Sequence, residues 1–325
     1  MKVLIVTQYF WPESFGITAL ARSMQERGVT VTVLTGQPNY PGGVVFPGYA
    51  AWRTSRETLS GIEIMRVPLA PRGIKSGLRL AVNYLSFVIS ASLLGPWMLR
   101  GRQFEAVFVY APSPLLQALP AVLLSWWKRA PLVVWVQDLW PESLSATGFV
   151  RNKRILGLVG SVVRYIYRRT DLILIPSKAF REPVERLTPP DGRIAYYPNA
   201  FVEEPGGAST ASPALSALLA EIAAVPSVVF AGNLGTAQSL ETILDAAEHV
   251  AARGHLVRFF IVGSGSLSAW LAEEVARRGL TNVLLPGRFP SSAMASIYAS
   301  ASVLLVSLRD EPIFAQTIPS KVQGY

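Results

Sequence analysis

The chain has 325 residues, half of them apolar, and its 30 Lys and Arg against 21 Asp and Glu give a formal net charge of +9. This length predicts about two domains, and the apolar content excludes an intrinsically disordered protein. The lack of Cys excludes disulfides, thiolate nucleophiles and Cys-ligated metals, and two histidines leave little for a metal cage or a Ser-His-Asp triad. Chemistry must therefore rest on carboxylates, basic side chains and backbone dipoles.

Strand and helix patterns alternate through the N-terminal part of the chain. The first run, KVLIVT, is rich in β-branched residues, which is typical of a buried parallel strand, and ITALARSMQERG has helical spacing and ends at Gly28. Further strands are predicted at VTVTVLTG, GIEIMRVPL, FEAVFVYAP, PLVVWVQDL, DLILIPS and RIAYYPNA, with helices in PLLQALPAVLLSWWKR and ILGLVGSVVRYIYRRT. This alternation predicts a parallel sheet with helices on both faces.

Residues 80–99 form a stretch of 20 residues without charge, which is the length of a membrane-spanning helix. Polar residues, a glycine and a proline dilute its hydropathy. Three interpretations stay open: a buried or interfacial helix of a soluble domain, which we favour, a helix resting on a membrane with basic neighbours at the lipid phosphates, and a spanning helix.

Basic residues cluster in the first 170 positions of the chain. The clusters are Arg72, Lys75 and Arg79; Arg100 and Arg102; Lys128 and Arg129; Arg151, Lys153 and Arg154; and Arg164, Arg168 and Arg169. Such a basic half fits anionic lipid, nucleic acid or a polyanionic substrate, and the apolar stretch favours lipid over nucleic acid. The N-terminus has no signal-peptide pattern, so we expect a cytoplasmic protein, peripheral on the inner face of the membrane.

Residues 203–216 are dense in Pro, Gly, Ser and Ala, and predict a connector between a domain at 1–202 and another at 217–325. Strands are then predicted at PSVVFAGN, LVRFFIVGSG, TNVLLPG and SVLLVSL, with helices at LETILDAAEHVAARG, LSAWLAEEVARRG and SSAMASIYASA. The fold class expected is α/β, with two Rossmann-like doubly wound domains facing a cleft. Because IPSKVQGY begins another helix pattern without a stop signal, we expect the second domain to be truncated.

Loops that follow strands are the candidate sites, because doubly wound sheets bind ligands at the carboxyl ends of their strands. After the first strand, Gly16 opens a helix and would let a phosphate or sugar approach backbone N–H groups, unless it serves only the turn. The loop GQPNYPGG is either a turn-rich connection or a binding loop. In QDLWPE, Asp138 follows a very apolar strand and could orient an acceptor hydroxyl, while Trp140 could stack on a sugar or on lipid. The alternative is a carboxylate that only caps its loop.

The second half repeats such loops. FAGNLG, with Gly232, and GSGS, with Gly263, each end a strand before a helix, a geometry suited to phosphate but also to a simple turn. Lys321 lies at the start of the last helix pattern, where its charge could stabilise a leaving diphosphate. Its alternative is a solvated helix lysine.

These motifs together resemble glycosyltransferase family 4, of the GT-B architecture, and in particular its bacterial O-antigen and surface-polysaccharide branch with fucosaminyltransferase-like enzymes. The resemblance covers essentially the whole chain. It rests on LIVTQYFWPES, LTGQPNYPGG, VWVQDLWPES, the PNA turn at 198–200, FAGNLGTAQSLETILDAA, FFIVGSGS, VLLPGRFP and IPSKVQGY.

The resemblance implies a retaining, metal-independent transfer without a cofactor. The donor is expected to be a nucleotide-diphospho-sugar, with UDP favoured, and the acceptor a glycan on polyprenyl diphosphate at an anionic membrane surface. Asp138 and Lys321 are the catalytic candidates. Donor-binding candidates are Gly16, Gly232, Asn233, Gly235, Gln238, Gly263, Gly265, Arg288, Glu311 and Ser320; acceptor-binding candidates are Trp11, Glu13, Asn39, Tyr40, Trp140 and Glu142.

The chain departs from the family pattern at charged positions. Asn233 and Gln238 stand where the family often has Arg and Lys, and Gly324 where it has a ribose-binding Glu, for which Glu311 is a candidate substitute. These replacements leave an alternative open, an inactive GT-B protein that acts as a membrane-associated binding or scaffold protein.

Overall fold

The computed structural model describes residues 1–73, 77–146, 150, 152–189, 193–199 and 212–325, in two compact units, Met1–Pro198 and Asn199–Tyr325. Lys75, Arg151 and residues 203–211 of the predicted connector lie outside the described residues.

The first unit is built on one eight-stranded sheet with the order β3-β4-β2-β1-β5-β6-β7-β8. Its strands are β1 Lys2–Val6, β2 Thr30–Gly36, β3 Ser55–Leu59, β4 Ile62–Val67, β5 Ala106–Ala111, β6 Leu132–Val136, β7 Leu172–Ile175 and β8 Ile194–Tyr196. All neighbours pair in parallel except β3 with β4. Strands β2 to β4 lie on one side of β1, and strands β5 to β8 lie on its other side. The strand order therefore reverses between β1 and β5.

The edge strand β3 is absent from the sequence prediction. Its sequence, SRETL, carries two charges and alternates half-buried with exposed residues, which is typical of a solvated edge rather than of a buried parallel strand. The turn at Ser60 and Gly61, both with positive φ, joins β3 to β4 as an antiparallel hairpin.

Helices of the first unit are α1 Gly16–Glu26, α2 Gly77–Met98, α3 Leu119–Lys128, α4 Glu142–Ala146, α5 Lys153–Arg168 and α6 Arg181–Glu185. The uncharged stretch forms α2, which is long and apolar enough to span a membrane, yet only 22 % of its most apolar window is buried. Its buried residues, among them Asn83, Phe87 and Ala91, lie on one face. The prediction of a buried helix therefore holds for one face only.

The second unit contains a four-stranded parallel sheet with the order β11-β10-β9-β12. Its strands are β9 Ser227–Asn233, β10 Arg258–Ser264, β11 Val283–Gly287 and β12 Val303–Leu304; its helices are α7 Pro213–Ala223, α8 Leu240–Ala252, α9 Ser268–Arg277, α10 Ser291–Ser300, α11 Pro312–Ala315 and α12 Ser320–Gly324. Here the strand order reverses between β9 and β12. In each unit ligands are expected at this reversal, beyond the carboxyl ends of the strands.

Helix α7 corrects the predicted connector, whose last residues belong to it. Ser212 caps the helix by accepting a hydrogen bond from the Leu215 N–H at 3.2 Å, and Pro213 occupies the first turn. The Pro and Ser that predicted a connector are thus helix-start residues.

Candidate functional site

The strand-order reversal of the second unit lies at Ala231 and Gly232, where β9 extends beyond its pairing with β12. The Tyr325 hydroxyl accepts from the Ala231 N–H at 3.0 Å and donates to the Ala231 carbonyl at 3.3 Å. These two hydrogen bonds to the unpaired edge of β9 fix α12, which carries Lys321, beside Gly232.

Lys321 lies beside Gly232 in the structure. Its ammonium lies 3.5 Å from the centre of the Phe230 ring, and a methyl group on Gly232 would lie 3.5 Å from Nζ. Among the described residues, nothing accepts a hydrogen bond from this buried Nζ, and burial lowers the pKa of the lysine to about 8. A desolvated ammonium without an acceptor is costly unless an anion binds to it.

The glycines of the two second-unit loops are explained by close backbone approach. A methyl group on Gly263 would lie 1.8 Å from the Gly232 carbonyl oxygen, and one on Gly265 would lie 2.3 Å from the Leu234 carbonyl oxygen. Gly232 and Gly263 also have positive φ. Backbone packing alone therefore requires glycine at 263 and 265. A contact of Gly263 and Gly265 with a nucleotide stays a prediction.

The strand that ends in FAGNLG is separated by a short turn from the helix predicted at LETILDAAEHVAARG. A 3-10 turn, Thr236–Gln238, and a left-handed Ser239 intervene, so that α8 begins at Leu240. Within the turn the Gly235 N–H donates to Gln238 Oε1 at 3.1 Å. The polar side chain of Gln238 thus closes the loop that starts at Asn233.

For the remaining donor-binding candidates the structure gives only a position in the fold. Arg288 is exposed just after β11, and Glu311 is half-buried at the start of α11. Ser320 begins α12. Their roles stay predictions.

In the first unit, Asp138 follows β6 at the carboxyl edge of the sheet and is half-buried. It accepts from the Trp140 indole N–H at 3.2 Å, and the side chains of Ser113 and Ser143 lie beside it. Burial raises the pKa of Asp138 despite these polar neighbours. A carboxylate of this kind can accept a proton or orient a hydroxyl.

The other residues of the QDLWPE loop differ in exposure. Trp140 exposes only 4 % of its surface, so we expect it to act by holding Asp138 rather than by stacking on a ligand. Glu142 is exposed in the first turn of α4.

Glu13 links two loops at the same edge. Its carboxylate accepts from the backbone N–H groups of Asn39 at 2.8 Å, Tyr40 at 2.7 Å and Phe10 at 3.2 Å. Burial raises the pKa of Glu13 to about 7, and the three hydrogen bonds oppose this shift. With both oxygens used, Glu13 is placed to hold the loops after β1 and β2 rather than to contact an acceptor.

Asn39 is also fully buried. Its side-chain amide donates to the Gln37 carbonyl and accepts from the Arg72 backbone N–H, both at 3.0 Å. Trp11 is half-buried against the core, and the Tyr40 ring contacts those of Tyr9 and Phe15. Gly16 begins α1, and a methyl group there would meet nothing within 4 Å, so packing does not require this glycine.

Sequence reasoning missed a polar cluster at the reversal between β1 and β5. The Tyr84 side chain of α2 lies close to the side chains of Tyr9 and Ser113, and Ser113 in turn lies close to Asp138. Arg72 donates to the Tyr9 hydroxyl at 3.3 Å. Tyr84 lies in the uncharged stretch at residues 80–99. A tyrosine in such a stretch is typical of core or lipid contact, so the sequence does not identify it as a site residue.

Comparison with known proteins gives matches over both units. Residues 16–200 match the family described as glycosyl transferase 4-like domain, and residues 225–322 match glycosyl transferases group 1. A curated relative, the putative colanic acid biosynthesis glycosyl transferase WcaI of Escherichia coli strain K12, is 25 % identical over 294 residues, 87 % of this chain and 70 % of the relative.

Solved structures resemble the whole fold at low identity. The UDP-forming α,α-trehalose-phosphate synthase of Burkholderia xenovorans, in complex with glucose-6-phosphate, is 13 % identical with a TM-score of 0.67, covering 95 % of this chain and 79 % of that one. Anabaena Alr3699/HepE, in complex with UDP and glucose, is 14 % identical with a TM-score of 0.59, covering 95 % and 74 %. These likenesses confirm the predicted α/β fold class of GT-B type.

Proposed function

Because the chain belongs to the glycosyl transferase 4-like and group 1 families, and is thus a glycosyltransferase, we propose that it moves a sugar from a nucleotide-diphospho-sugar to a lipid-linked glycan. The transfer is retaining and needs no metal, the sugar is a hexose or an N-acetylated amino sugar, and the pathway is the synthesis of a bacterial surface polysaccharide. The colanic acid relative supports this pathway, and the UDP complex of the Anabaena protein supports UDP as the nucleotide.

The observation that carries the proposal is the unpaired ammonium of Lys321. It lies at the strand-order reversal of the second unit, where a ligand of a doubly wound sheet is expected. A donor diphosphate there would supply the acceptors that Nζ lacks. Charge of this kind stabilises the departing diphosphate as the bond from the sugar to its phosphate breaks.

The first unit is proposed to bind the acceptor. Asp138 accepts a hydrogen bond from the attacking hydroxyl and so orients its oxygen toward the sugar carbon. The tyrosines and Ser113 around it form the rest of this polar edge.

The exposed face of α2 supports a membrane location for the acceptor. Six large apolar side chains share this face and are 46 to 77 % exposed: Leu78, Val82, Leu85, Ile89, Leu93 and Trp97. Trp126 of α3, which packs beside α2, is 73 % exposed. Arg100 and Arg129 are exposed at the ends of these helices. An apolar face with a basic rim fits an anionic bilayer surface, and we place the protein on the inner face of the inner membrane.

Thermal unfolding with UDP-, GDP- and dTDP-sugars tests the proposal. A nucleotide sugar at 100 times its Kd should add about 2.7 kcal/mol of stability. Lys321→Gln should abolish most of this shift, because a hydrogen bond to a charged group is worth about 1.5 to 3 kcal/mol.

Lys178→Gln is the matched control, since Lys178 also lies over an aromatic ring, that of Tyr196, but is exposed. No stabilisation by any nucleotide sugar would favour a scaffold protein that has lost its donor site. Equal shifts for Lys321→Gln and wild type would remove Lys321 from the donor site.

A further inference from the structure

Arg72 lies between β4 and α2 with its side chain held in place. Its backbone N–H donates to Asn39 Oδ1 at 3.0 Å, its guanidinium stacks over the Tyr40 ring at 5.2 Å, and Nη1 donates to the Tyr9 hydroxyl at 3.3 Å. No carboxylate in the described part of the chain lies within 4.0 Å of this guanidinium. Arg72 is therefore a positioned cation whose other N–H donors are available to an anion.

A mainly apolar groove of about 610 Å³ adjoins the segment that carries Arg72, because Pro71 and Gly73 line it. Its lining consists of the apolar residues Val44, Ala70, Pro71, Leu78 and Val82, the glycines Gly43 and Gly73, and one charged residue, the exposed Arg79. Leu78 and Val82 expose 77 and 46 % of their surface into solvent. The Gly73 N–H donates to the Gly43 carbonyl at 2.8 Å, and a methyl group on Gly43 would lie 2.3 Å from the Gly73 oxygen. The loops that contain Gly43 and Gly73 therefore pack closely against each other. Together with the start of α2 they form a concave surface suited to a hydrocarbon ligand.

The groove and Arg72 connect two surfaces. On one side Leu78 and Val82 continue into the exposed apolar face of α2. On the other side Arg72 contacts Tyr9, and Tyr9 leads through Tyr84 and Ser113 to Asp138. The contacts therefore run from the apolar groove to a cation and then, through buried tyrosines, to the polar edge with its carboxylate.

We infer that Arg72 binds the phosphate of the lipid-linked acceptor and that the groove beside it takes the first isoprenoid units of the lipid chain. The inference rests on the proposed function and assigns the acceptor side of that function to named residues. Charge complementarity selects the occupant: the half-buried Arg72 guanidinium and the exposed Arg79 that lines the groove suit a phosphate or diphosphate joined to one long hydrocarbon chain. The glycan beyond the phosphate then extends toward Asp138.

Binding of farnesyl phosphate, a soluble compound with the same phosphate and chain chemistry, tests the inference. Thermal unfolding of the full chain is followed with saturating UDP present, so that the donor site is occupied. We expect farnesyl phosphate to raise the midpoint, and Arg72→Gln and Val82→Asp each to weaken its binding about tenfold or more. Val82 is exposed, so that Val82→Asp leaves the core intact.

Three matched controls separate this site from other surfaces. Arg53→Gln removes an exposed arginine elsewhere on the first unit, Leu93→Asp alters the same face of α2 away from the groove, and Lys321→Gln affects the donor site. All three should bind farnesyl phosphate as wild type does. Vesicles of phosphatidylglycerol should still bind Arg72→Gln, because a bilayer contacts the whole α2 face.

Unchanged affinity in Arg72→Gln, or inorganic phosphate binding as tightly as farnesyl phosphate, would overturn the inference. So would an equal loss in Leu93→Asp, which would indicate adsorption to the membrane face. UDP stabilisation measured on the same variants reports separately on the proposed function, so failure of one is distinguishable from failure of the other.

Discussion

At the scale of single residues, the proposed donor site depends on one buried ammonium group. Lys321 lies against Phe230 and Gly232, and burial lowers its pKa to about 8. Structural lysines at protein surfaces do not have this environment. A perturbed pKa together with an unpaired buried atom at the reversal of strand order is typical of a functional group.

The pH dependence of UDP binding should report this lysine. A bound diphosphate favours the charged ammonium and raises its pKa above the value of about 8 in the unliganded protein. Affinity should therefore be level below this pKa and fall as the pH rises through it, by up to about tenfold per pH unit. Calorimetric titration from about pH 7 to about pH 10 measures it, and Lys321→Gln should give a flat profile. A fall of the same size in that variant would assign the titration to another group.

Glu13 should matter for stability rather than for chemistry. Glu13→Ala leaves three backbone N–H groups buried without an acceptor, at about 1 to 3 kcal/mol each. We expect the first unit to lose about 3 kcal/mol or more in urea unfolding.

The exposed Glu142 gives the control, and Glu142→Ala should change stability by less than about 0.5 kcal/mol. A Glu13→Ala protein of normal stability that fails to bind acceptor would instead place the carboxylate in contact with the ligand.

At the scale of elements, the short helix α12 is held by a single tyrosine. The Tyr325 hydroxyl bonds both backbone groups of Ala231, and its ring packs edge-on against Tyr298 at 4.9 Å. Because Lys321 and Tyr325 lie one helical turn apart, the position of the ammonium depends on this anchor.

Tyr325→Phe should therefore weaken UDP binding without changing its pH profile. Loss of the two hydrogen bonds costs about 1 to 3 kcal/mol and loosens α12, while the lysine itself is unchanged. Tyr298→Phe keeps the same ring pair and removes a hydroxyl with no hydrogen-bond partner among the described residues, so it should bind UDP normally. Equal UDP affinity in wild type and Tyr325→Phe would show that α12 needs no such anchor.

Helix α2 is predicted to attach the protein to anionic membranes by its exposed face. The double substitution Leu85→Glu and Ile89→Glu introduces charge on that face without touching the buried one, and should abolish cosedimentation with phosphatidylglycerol vesicles. Wild-type binding should weaken with added salt and be weaker to phosphatidylcholine.

Leu256→Glu, at a leucine of the second unit that is 86 % exposed, is the matched control and should bind normally. Cosedimentation of the double variant at the wild-type level would exclude α2 as the contact.

At the scale of the whole molecule, hydrophobic periodicity predicted most of both parallel sheets, because buried strands and the helices that cover them have clear patterns. It did not predict β3, whose charged sequence is that of an edge, or α7, whose capping Ser and Pro are also typical of a connector. Motif positions predicted Lys321 and Gly232 as separate donor-site candidates, whereas their contact is a result of the fold. The Tyr9, Tyr84 and Arg72 cluster did not, because those residues come from three distant elements and only the fold brings them together.

The central claim is that the second unit binds the diphosphate of a nucleotide sugar through Lys321. Calorimetric titration of UDP and of uridine into wild type and Lys321→Gln tests it most directly, because the two ligands differ only in the diphosphate. We expect UDP to bind wild type about tenfold or more tighter than uridine, and this advantage to be largely lost in the variant. An advantage of UDP over uridine that is equal in both proteins would contradict the claim.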